Sequence, residues 1–548
     1  MTPHADADSP LSDDADRLPA PPRPTFSAKP PRLLVVGAGS RGNAYARATE
    51  GASNGIIAAV AEPIAYKRKR LGERYIWGKS GPSEGQQFED WSDFVTWELK
   101  RRTKAASGED VPEGVDGVFI CVLDEQHKEV IVGLAPLGLH IMCEKPLACS
   151  LEDCVDIYRS MLPDLPYNTT PSNIFSIGHV LRYSPHNMLL RKLLLEDKVI
   201  GEIMSINHTE PVGWWHFTHS YVRGNWRKES TTAPSLLTKS CHDIDLLLWL
   251  LCSPLNSSAP AHIPSSITST GSLQLFNKTR KPTAARSATN CLSCPIETSC
   301  KYSAKKIYLG KELKGLASGN TNWPVDIVLP EIEEFLAVRG SSGGEEALRS
   351  KLEEDYNETT PAAEVSAKNW FGRCVWEADN DVCDDQVVTM TWDNEPFPKE
   401  TDDNEKALVG RGAKTAIFHM VAHTKRICER FYHIYGSDGE IYADSSTITV
   451  EDFITGIKKT YKPHLAGGGH GGGDAGLTRQ FILAIDAVKN HGAEVSNAQK
   501  EHIGCSLEEV IRSHAMVFAA EDARKNKKVI NFPQWWEEEV QSSLLRPS

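Results

Sequence analysis

The stretch Leu33 to Ala48, LLVVGAGSRGNAYARA, decides the fold of the first part of the chain. A short apolar run ends in the spacing Gly37-x-Gly39-x-x-Gly42 and continues with a helical pattern. In a strand–turn–helix unit the first glycine permits the tight turn, the second lets backbone approach a pyrophosphate, and the third lets helix pack on strand. The helix N-terminus adds free N–H groups for the phosphates. The stretch predicts a dinucleotide site; a plain glycine turn is the alternative.

An acidic residue closes the next apolar run, GIIAAVAEP. Glu62 stands where a carboxylate can bind the adenosine ribose hydroxyls. This position favours NAD, because a carboxylate would repel the 2′-phosphate of NADP. Arg41 within the glycine loop and the basic run Tyr66–Arg70, YKRKR, keep NADP open, although such a run is also typical of a solvated helix face.

Strand-like and helical segments alternate over about residues 31–150, which predicts an α/β Rossmann domain with a doubly wound parallel sheet. Ser150 is suited to cap the helix that follows. Over residues 151–548, segments such as QVVTMTWD and TAIFHMVAH predict an α+β domain with an open, largely antiparallel sheet. We expect inserts at about 253–306 and at 339–368, the latter as a mobile loop or short helix. Residues 1–30 are expected to form a disordered leader.

Composition excludes several function classes. The 548 residues have a mean hydropathy of −0.36 and carry a net charge of −13. The negative charge argues against general affinity for nucleic acid or anionic membranes. No apolar run reaches the roughly 20 residues of a membrane-spanning helix, and the N-terminus does not read as a signal peptide. The 13 cysteines are mostly scattered, as in a reducing compartment. We therefore expect a cytoplasmic protein.

Glu144-Lys145-Pro146 ends the apolar segment GLHIMCEKP, at the sheet edge where doubly wound folds bind ligands. A lysine there can donate to a substrate hydroxyl and favour a developing alkoxide, whereas a lone exposed lysine is more often a surface charge. The glycine loop, Glu62, CVLDEQH and CEKPLA, in that order, resemble the Gfo/Idh/MocA oxidoreductases, the family of glucose–fructose oxidoreductase and inositol 2-dehydrogenase. The resemblance covers about residues 32–150 strongly and GHVLRYSP, CHDIDLLLWL and GGGHGGGDAGLTRQFILAI more loosely.

The resemblance implies an N-terminal Rossmann domain, a C-terminal α/β domain and an active site between them. Lys145 would be the family's catalytic lysine, and His242 the histidine that takes the substrate proton. Tyr183 would lie near the substrate. The residues implied at the cofactor are Gly37, Gly39, Ser40, Arg41, Gly42, Glu62, Leu123, His127, Glu144, Lys145 and Arg182.

The helix of His242 also departs from the family pattern. Inositol dehydrogenase-like members have an Asp four residues before the histidine, where this chain has Thr238 followed by Lys239. Lys239 is expected on the substrate side, but a cation is no ordinary base without a lowered pKa. Asp245 completes the family's His-x-x-Asp pattern, and its i, i+3 spacing predicts that it orients the imidazole of His242. A helix histidine without chemistry is the alternative.

Two further segments are candidates for the substrate side. WWHFTHSYVRGNWRKE concentrates aromatic and hydrogen-bonding side chains, which predicts sugar or aryl contacts through His219, Arg223 and Asn225; a packed aromatic sheet edge fits equally. The run GGGHGGGD could bring His470 to the cleft, with Asp474 capping the next helix, or could be a hinge loop.

The segment CLSCPIETSC gives Cys291-x2-Cys294-x5-Cys300, a spacing at which three thiolates can converge on one soft metal. A fourth ligand must come from elsewhere, and Cys374 and Cys383 are the candidates, with Cys374 preferred. Structural zinc, an iron–sulfur cluster and unligated thiols all remain open. Structural zinc would explain how so polar an insert becomes ordered.

The sequence predicts an NAD(P)-dependent oxidoreductase that acts on a sugar, polyol or related carbonyl compound. In that role Lys145 polarises the reacting oxygen and His242 exchanges the proton, as the resemblance implies. Two alternatives occur in the same family: a regulator that binds dinucleotide without turnover, and a glycosidase that uses NAD for transient oxidation. By the same resemblance we expect a homo-oligomer, a dimer or a higher assembly.

Overall fold

The computed structural model describes residues 16–19, 22, 24–162, 171–252, 260–395, 410–464 and 469–544. Its strands are β1 (Asp16–Arg17), β2 (Arg32–Val36), β3 (Ile56–Ala61), β4 (Gln87–Phe88), β5 (Gly117–Ile120), β6 (His140–Cys143), β7 (Phe175–Ile177), β8 (Ile203–Pro211), β9 (Ser266–Ser272), β10 (Asp385–Trp392), β11 (Lys414–Val421), β12 (Phe431–Gly436), β13 (Gly439–Ala443), β14 (Ile448–Asp452), β15 (Lys458–Lys462) and β16 (Ile530–Asn531).

Its α-helices are α1 (Ser40–Ala52), α2 (Ala65–Tyr75), α3 (Trp91–Ala106), α4 (His127–Leu134), α5 (Leu151–Met161), α6 (Pro185–Arg191), α7 (Trp214–Phe217), α8 (Ser235–Leu251), α9 (Val325–Val328), α10 (Ile332–Glu353), α11 (Ala362–Ala367), α12 (Gly473–His491), α13 (Val495–Ala498), α14 (Leu507–Asn526), α15 (Phe532–Trp536) and α16 (Ser542–Leu544). Within the described residues, no helix is both long and apolar enough to cross a membrane.

The first sheet consists of parallel strands in the order β4-β3-β2-β5-β6-β7. The central strands β2, β5 and β6 are apolar and almost wholly buried, as expected for a parallel sheet covered by helices on both faces. Helix α5 begins as predicted, since the Ser150 side chain accepts the N–H of Asp153. This part is the predicted Rossmann domain.

The second sheet has ten strands in the order β1-β15-β14-β13-β12-β8-β11-β10-β9-β16. Only the pairs β1–β15 and β8–β11 are parallel, which confirms an α+β domain with a largely antiparallel sheet. Buried and half-buried side chains alternate along β10, so one face of this sheet is packed. Helices α8 and α14 pack together on that side.

The leader prediction needs correction where the structure describes residues 1–30. Strand β1 pairs with β15, and Phe26 packs against the core of the Rossmann domain. Ser27 Oγ donates to Asp486 Oδ2 at 2.8 Å. This part of the segment is therefore held to the folded body, while residues 1–15 lie outside the described residues.

The two predicted inserts also have different bounds. Strand β9 lies inside the expected insert 253–306, yet it is an integral strand between β10 and β16. Residues 339–368 contain the part of α10 that follows a break at Gly340, where φ is +67°, and the six-residue helix α11. The structure shows one unit between β9 and β10, residues 273–384, which we call the insert subdomain. It has a hydrophobic cluster of its own, formed with Trp215: Ala304, Ile307, Tyr308, Val325, Ile332, Leu348, Leu352 and Phe371.

Candidate active site

A cavity of about 1240 Å³ lies along the carboxyl edge of the parallel sheet. One wall is the glycine loop with the residues that follow β3, β5 and β6, among them Glu62, Leu123 and Lys145. Helix α8 and the strands around it form a second wall. The insert subdomain supplies a third, which includes Trp323. Sites at the carboxyl edge of a doubly wound sheet are where such folds bind ligands.

The three glycines of the loop have the three predicted geometries. Gly37 has φ of +93°, and a Cβ there would lie 2.6 Å from the carbonyl oxygen of Cys121. A Cβ at Gly42 would lie 2.1 Å from the Gly37 oxygen. Gly39 lines the cavity directly before α1 begins at Ser40, and a Cβ built on it would meet no atom within 4 Å. Open backbone at a helix N-terminus fits a dinucleotide pyrophosphate.

Glu62, the residue predicted to bind the ribose, lies on the cavity wall directly after β3. Its carboxylate accepts the N–H groups of Ala38 at 2.7 Å and Ile64 at 2.9 Å. Lys67 and Asp326 line the same cavity. Burial raises the pKa of Asp326 to about 6, although the cations of Arg70 and Lys67 lower it.

Glu144 and Arg41 form a clamp across the cavity floor. Arg41 Nε donates to Glu144 at 2.6 Å, and Arg41 Nη2 donates to Asp474 at 2.8 Å. The Tyr45 hydroxyl also donates to Glu144. Burial alone would raise the pKa of Glu144, but the charge of Arg41 and the Tyr45 hydrogen bond hold it below its usual value. The predicted cofactor residues Arg41 and Glu144 thus stabilise one another next to the glycine loop.

Lys145 reaches across to the start of α8. Its ammonium donates to the backbone carbonyl of Thr238 at 2.6 Å and lies 6.0 Å from the ring centre of Trp226. Among the described residues, none offers Lys145 Nζ a carboxylate at ion-pair distance. Where the family pattern has an Asp, a backbone carbonyl therefore contacts the lysine. An ammonium group at the cavity wall can bind a negatively polarised oxygen.

His242 is buried on α8 and lines the cavity. Its Nε2 is 2.7 Å from Arg430 Nη2 and 3.2 Å from Asp243 Oδ2. Its Nδ1 has no hydrogen-bond partner among the described residues. Burial lowers the pKa of His242 well below its usual value, so the ring is neutral at neutral pH.

Asp245 does not orient His242, contrary to the prediction. Its two carboxylate oxygens accept the Arg182 guanidinium at 2.7 and 2.8 Å, and one lies 3.1 Å from His179. A buried arginine takes this carboxylate because an unpaired charge in the interior is costly. The residue that contacts the imidazole is Asp243, drawn toward it by Arg430.

Four other predicted residues also face the interior instead of the cavity. Arg182 pairs with Asp245, and the Tyr183 hydroxyl donates to the Ile503 carbonyl at 2.8 Å. His127 Nδ1 is 2.7 Å from the Pro146 oxygen, so it supports the Lys145 loop from behind. Arg223, only 1% exposed, donates to the backbone of the insert subdomain. These four residues therefore have packing or positioning roles and do not make the predicted contacts with cofactor or substrate.

Lys239 does face the cavity, but as part of a buried charge network that the sequence did not reveal. Its ammonium is 3.0 Å from Glu210 Oε1 and 3.0 Å from Cys428 Sγ. Arg430 lies 3.1 Å from Glu210 and 2.5 Å from Asp243. Glu210 is on β8 and Arg430 precedes β12, far apart in sequence with no motif around either. Only the pairing of β8 with β12 brings them together.

The predicted aromatic segment is at once a packed edge and a cavity wall. His219 Nδ1 is 2.9 Å from the Tyr308 hydroxyl, and its ring stacks on Phe371 with centres 5.3 Å apart. Burial lowers its pKa to about 3. Asn225 accepts a hydrogen bond from Asn369. The insert subdomain therefore completes the wall that the segment starts.

His470 reaches the cavity, as one of the two interpretations of the glycine run predicts. Its Nδ1 is 3.2 Å from Asp474 Oδ1, and its ring centre lies 6.2 Å from that of His242. Asp474 does not cap α12, since no side-chain cap bond forms there and its carboxylate holds Arg41 and His470 instead. An imidazole bound at Nδ1 by a carboxylate presents Nε2 for proton exchange.

The predicted cysteine ligands lie away from the cleft. Cys291, Cys294, Cys300 and Cys374 line a separate cavity of about 20 Å³ in the insert subdomain, whereas Cys383 does not. In the described parts of the chain, only His179, Cys241 and His514 form a three-residue group with all ligand atoms within 4.8 Å. His514 has both nitrogens engaged by backbone, Nε2 by the Leu147 N–H and Nδ1 by the Val510 oxygen.

The first domain is similar in sequence to known proteins. Residues 32–161 match the family model GFO_IDH_MocA, described as an oxidoreductase family with an NAD-binding Rossmann fold. A 2,7-anhydro-N-acetylneuraminate hydratase of Escherichia coli is 31% identical over 157 residues, and an inositol 2-dehydrogenase of Saccharopolyspora erythraea is 28% identical over 152. These matches span 29% and 27% of this chain, and only 37% and 39% of the respective relatives.

The fold likeness extends over both domains. A levoglucosan dehydrogenase, solved with NADH and levoglucosan, superposes with a TM-score of 0.54 at 14% identity, over 92% of this chain and all of that one. At this identity the likeness concerns the fold alone. It includes the second sheet, which the matches in sequence to the inositol and neuraminate enzymes leave largely uncovered.

Proposed function

We propose that this chain is an NAD-dependent dehydrogenase or reductase of a sugar, polyol or related carbonyl compound, because residues 32–161 match the model of an oxidoreductase family with an NAD-binding Rossmann fold. The observation that carries the proposal is the position of Lys145. Its ammonium stands on the cavity wall at the carboxyl edge of the sheet, bonded to one backbone carbonyl. A cation placed there can bind the oxygen on which negative charge develops.

The cofactor contacts follow from the glycine loop. Open backbone at Gly39 and the N-terminus of α1 would bind the pyrophosphate, and Glu62 would accept the ribose hydroxyls. The nicotinamide would supply the hydride acceptor or donor. We propose NAD over NADP because Glu62 and Asp326 both place carboxyl groups in this cavity. Lys67 is the residue that would favour NADP if this preference were wrong.

Two histidines are candidates for proton exchange. His242 lines the cavity, with Nδ1 buried and without a partner among the described residues and Nε2 beside Arg430 Nη2 and Asp243 Oδ2. Nε2 can accept from Arg430 or donate to Asp243 but not both at once, so it is the nitrogen at which His242 can gain or lose a proton. His470 carries the opposite arrangement, since Asp474 binds its Nδ1 and its Nε2 can accept. We therefore propose that His242 exchanges the proton with the substrate oxygen and that His470 relays this proton to solvent.

A second candidate reaction is one in which NAD is used and regenerated, as in the family's NAD-dependent glycosidases. Lys145 bonds to the backbone carbonyl of Thr238 at the position where inositol dehydrogenase-like members have an Asp. This difference from the dehydrogenases favours the redox-neutral reaction as the second candidate. The E. coli relative named a hydratase also carries the name of a reaction without net oxidation. The third candidate is a regulator that binds dinucleotide without turnover. The presence of Lys145 and two histidines at the cavity argues against it.

The deciding experiment follows absorbance at 340 nm and product formation together. Purified protein is incubated with NAD or NADP and a panel of polyols, inositols, anhydrosugars and glycosides. NADH accumulation in step with substrate oxidation supports the dehydrogenase. Product without NADH accumulation supports the redox-neutral reaction. Cofactor binding without any product across the panel supports the regulator.

We also propose that the chain forms a homo-oligomer through the outer face of the second sheet. Ile417, Phe431 and Tyr442 are all 39 to 45% exposed on that face. In the strand register, Asn207 is paired with both Ile417 and His433, and His433 is paired with Tyr442. Ile417 and Tyr442 therefore lie on the same side of the sheet. An exposed apolar patch of this kind is typical of an association surface. Sedimentation equilibrium of a monomer at micromolar concentration would contradict it.

A further inference from the structure

The loop Cys291–Cys300 and the segment around Cys374 are held side by side by backbone hydrogen bonds. Cys291 N–H donates to the Gly372 oxygen at 2.8 Å, and Cys374 N–H donates to the Thr289 oxygen at 2.8 Å. Asn290 and Arg373 form an isolated antiparallel bridge between them. The backbone therefore brings Cys374 to a loop that already carries three cysteines. All four line the same small cavity.

A buried cation faces this cavity without a carboxylate partner. Arg223 is 1% exposed and lines the cavity, where its Nη2 is 3.3 Å from Cys291 Sγ. Its other bonds are to the backbone oxygens of Arg373 and Tyr302. Across the described ranges, no Asp or Glu lies within ion-pair distance of Arg223. A buried guanidinium needs a compensating negative charge, and the group that it contacts here is the sulfur of Cys291, within the cysteine cluster.

The loop has little apolar packing to hold it. From residue 273 to residue 303 the only buried apolar side chains, among the described residues, are Phe276, Ala285, Cys291 and Tyr302. The backbone there runs through short single-turn helices with no strand and no longer helix. A segment of this kind requires some other crosslink to keep one conformation. The thiols are all free, so the crosslink is not a disulfide.

We propose that Cys291, Cys294, Cys300 and Cys374 bind one structural divalent metal ion of the zinc type. Binding would release the thiol protons to solvent and leave a site of four thiolates with net charge −2, which Arg223 partly neutralises. A cavity of about 20 Å³ has room for one ion and not for an iron–sulfur cluster. This proposal does not depend on the catalytic reaction.

The thiols must rotate to bind. No three of the four sulfur atoms lie within 4.8 Å of one another, whereas a tetrahedral zinc–thiolate site has sulfurs about 3.8 Å apart. Rotation about χ1 moves a cysteine sulfur by this order of distance without moving the backbone. The ion would then tie the loop to the rest of the insert subdomain, which lines the cleft through Trp323 and Asn369.

The test measures metal in the full-length protein purified without a metal-affinity tag. We expect about one zinc per chain by plasma mass spectrometry, in wild type and in the control Cys149→Ser, a half-buried cysteine outside both cavities. The double variant Cys294→Ser/Cys300→Ser should retain less than about a fifth of that content. Wild type without zinc after incubation with stoichiometric zinc, or zinc that persists in the double variant, would overturn the proposal.

A second measurement covers the case in which the double variant does not fold. An organomercurial titrated into native wild type should release zinc in proportion to the first four thiols modified. Cobalt(II) loaded into metal-depleted protein should give the intense visible and near-ultraviolet bands of a tetrahedral thiolate site. Thiol modification that releases no metal, or cobalt spectra of an octahedral oxygen site, would contradict four-cysteine ligation.

Discussion

The two ends of the cleft recognise their ligands by opposite means. At the glycine loop, the wall is backbone. A Cβ at Gly39 would meet no atom within 4 Å, whereas a Cβ at Gly37 or Gly42 would clash with neighbouring backbone atoms. Around α8 the wall is a network of buried charges, in which Glu210 and Asp243 compensate Lys239 and Arg430. Recognition by backbone is sensitive to an added side-chain atom, whereas a buried charge network is sensitive to the loss of one of its charged partners.

The difference teaches where each end is sensitive. At the backbone end, a single added methyl group should weaken cofactor binding while the electrostatics stay unchanged. At the charged end, isosteric changes should alter catalysis or pH dependence while the cofactor still binds. Lys145 lies between the two ends, bonded through its N–H to Glu144 and through its ammonium to Thr238.

Replacement of Lys145 by Ala should give the largest loss, about 10³-fold in kcat, because the charge that stabilises the developing alkoxide is removed. NAD affinity, measured by tryptophan fluorescence quenching, should change less than about threefold. Lys69→Ala, a lysine whose side chain is 67% exposed, is the matched control and should leave both quantities unchanged. An unchanged kcat in Lys145→Ala would remove the residue from the reaction.

Gly42→Ala should weaken NAD binding by about 10- to 100-fold, equivalent to about 1.4–2.8 kcal/mol. Its Cβ would lie 2.1 Å from the Gly37 oxygen, so α1 must move away from the loop. Gly51→Ala is the control in the same helix, because its Cβ would meet no atom within 4 Å. Equal Kd values for the two variants would show that loop geometry does not govern binding.

Sequence alone anticipated the backbone end well for a physical reason. Its geometry comes from consecutive residues, so the glycine spacing from Gly37 to Gly42 carries the information locally. The same is true of the Ser150 cap and of the alternation along β10. The Rossmann domain and the largely antiparallel second sheet followed from such local patterns.

The charged end could not be predicted in this way. The i, i+3 spacing placed Asp245 beside His242, but Arg182, from a different segment, binds that carboxylate. Glu210 and Arg430 become neighbours only when β8 pairs with β12. The insert bounds were wrong for a related reason, because β9 has little apolar character and is recognisable as a strand only by its partners.

His470→Asn should lower kcat by about 10²-fold at neutral pH, because a group that accepts and passes on the proton is lost. Asn keeps a polar side chain, so cofactor affinity should be retained. His464→Asn, an exposed histidine a few residues earlier, is the control and should leave kcat unchanged. An unchanged kcat in His470→Asn would show that His470 takes no part in the proton transfer.

The smallest effect is expected where the insert subdomain meets the cofactor end. Burial raises the pKa of Asp326 to about 6, so ionisation of this carboxyl costs folding free energy. The unfolded-state pKa is about 3.9, so the cost is absent below about pH 4, grows up to about pH 6 and is constant above it. Asp326→Asn should therefore stabilise the protein by about 1 kcal/mol at pH 7.5.

Thermal unfolding at pH 5 and pH 7.5 tests this sign, because the gain should be smaller at pH 5. Glu345→Gln, an exposed carboxyl on α10 of the same subdomain, should show no such pH-dependent gain. The same Asp326 variant also bears on cofactor choice. If its carboxylate helps Glu62 to exclude a 2′-phosphate, the variant should narrow the preference for NAD over NADP a few-fold. An unchanged preference would leave that selection to Glu62, and so to the backbone end of the cleft alone.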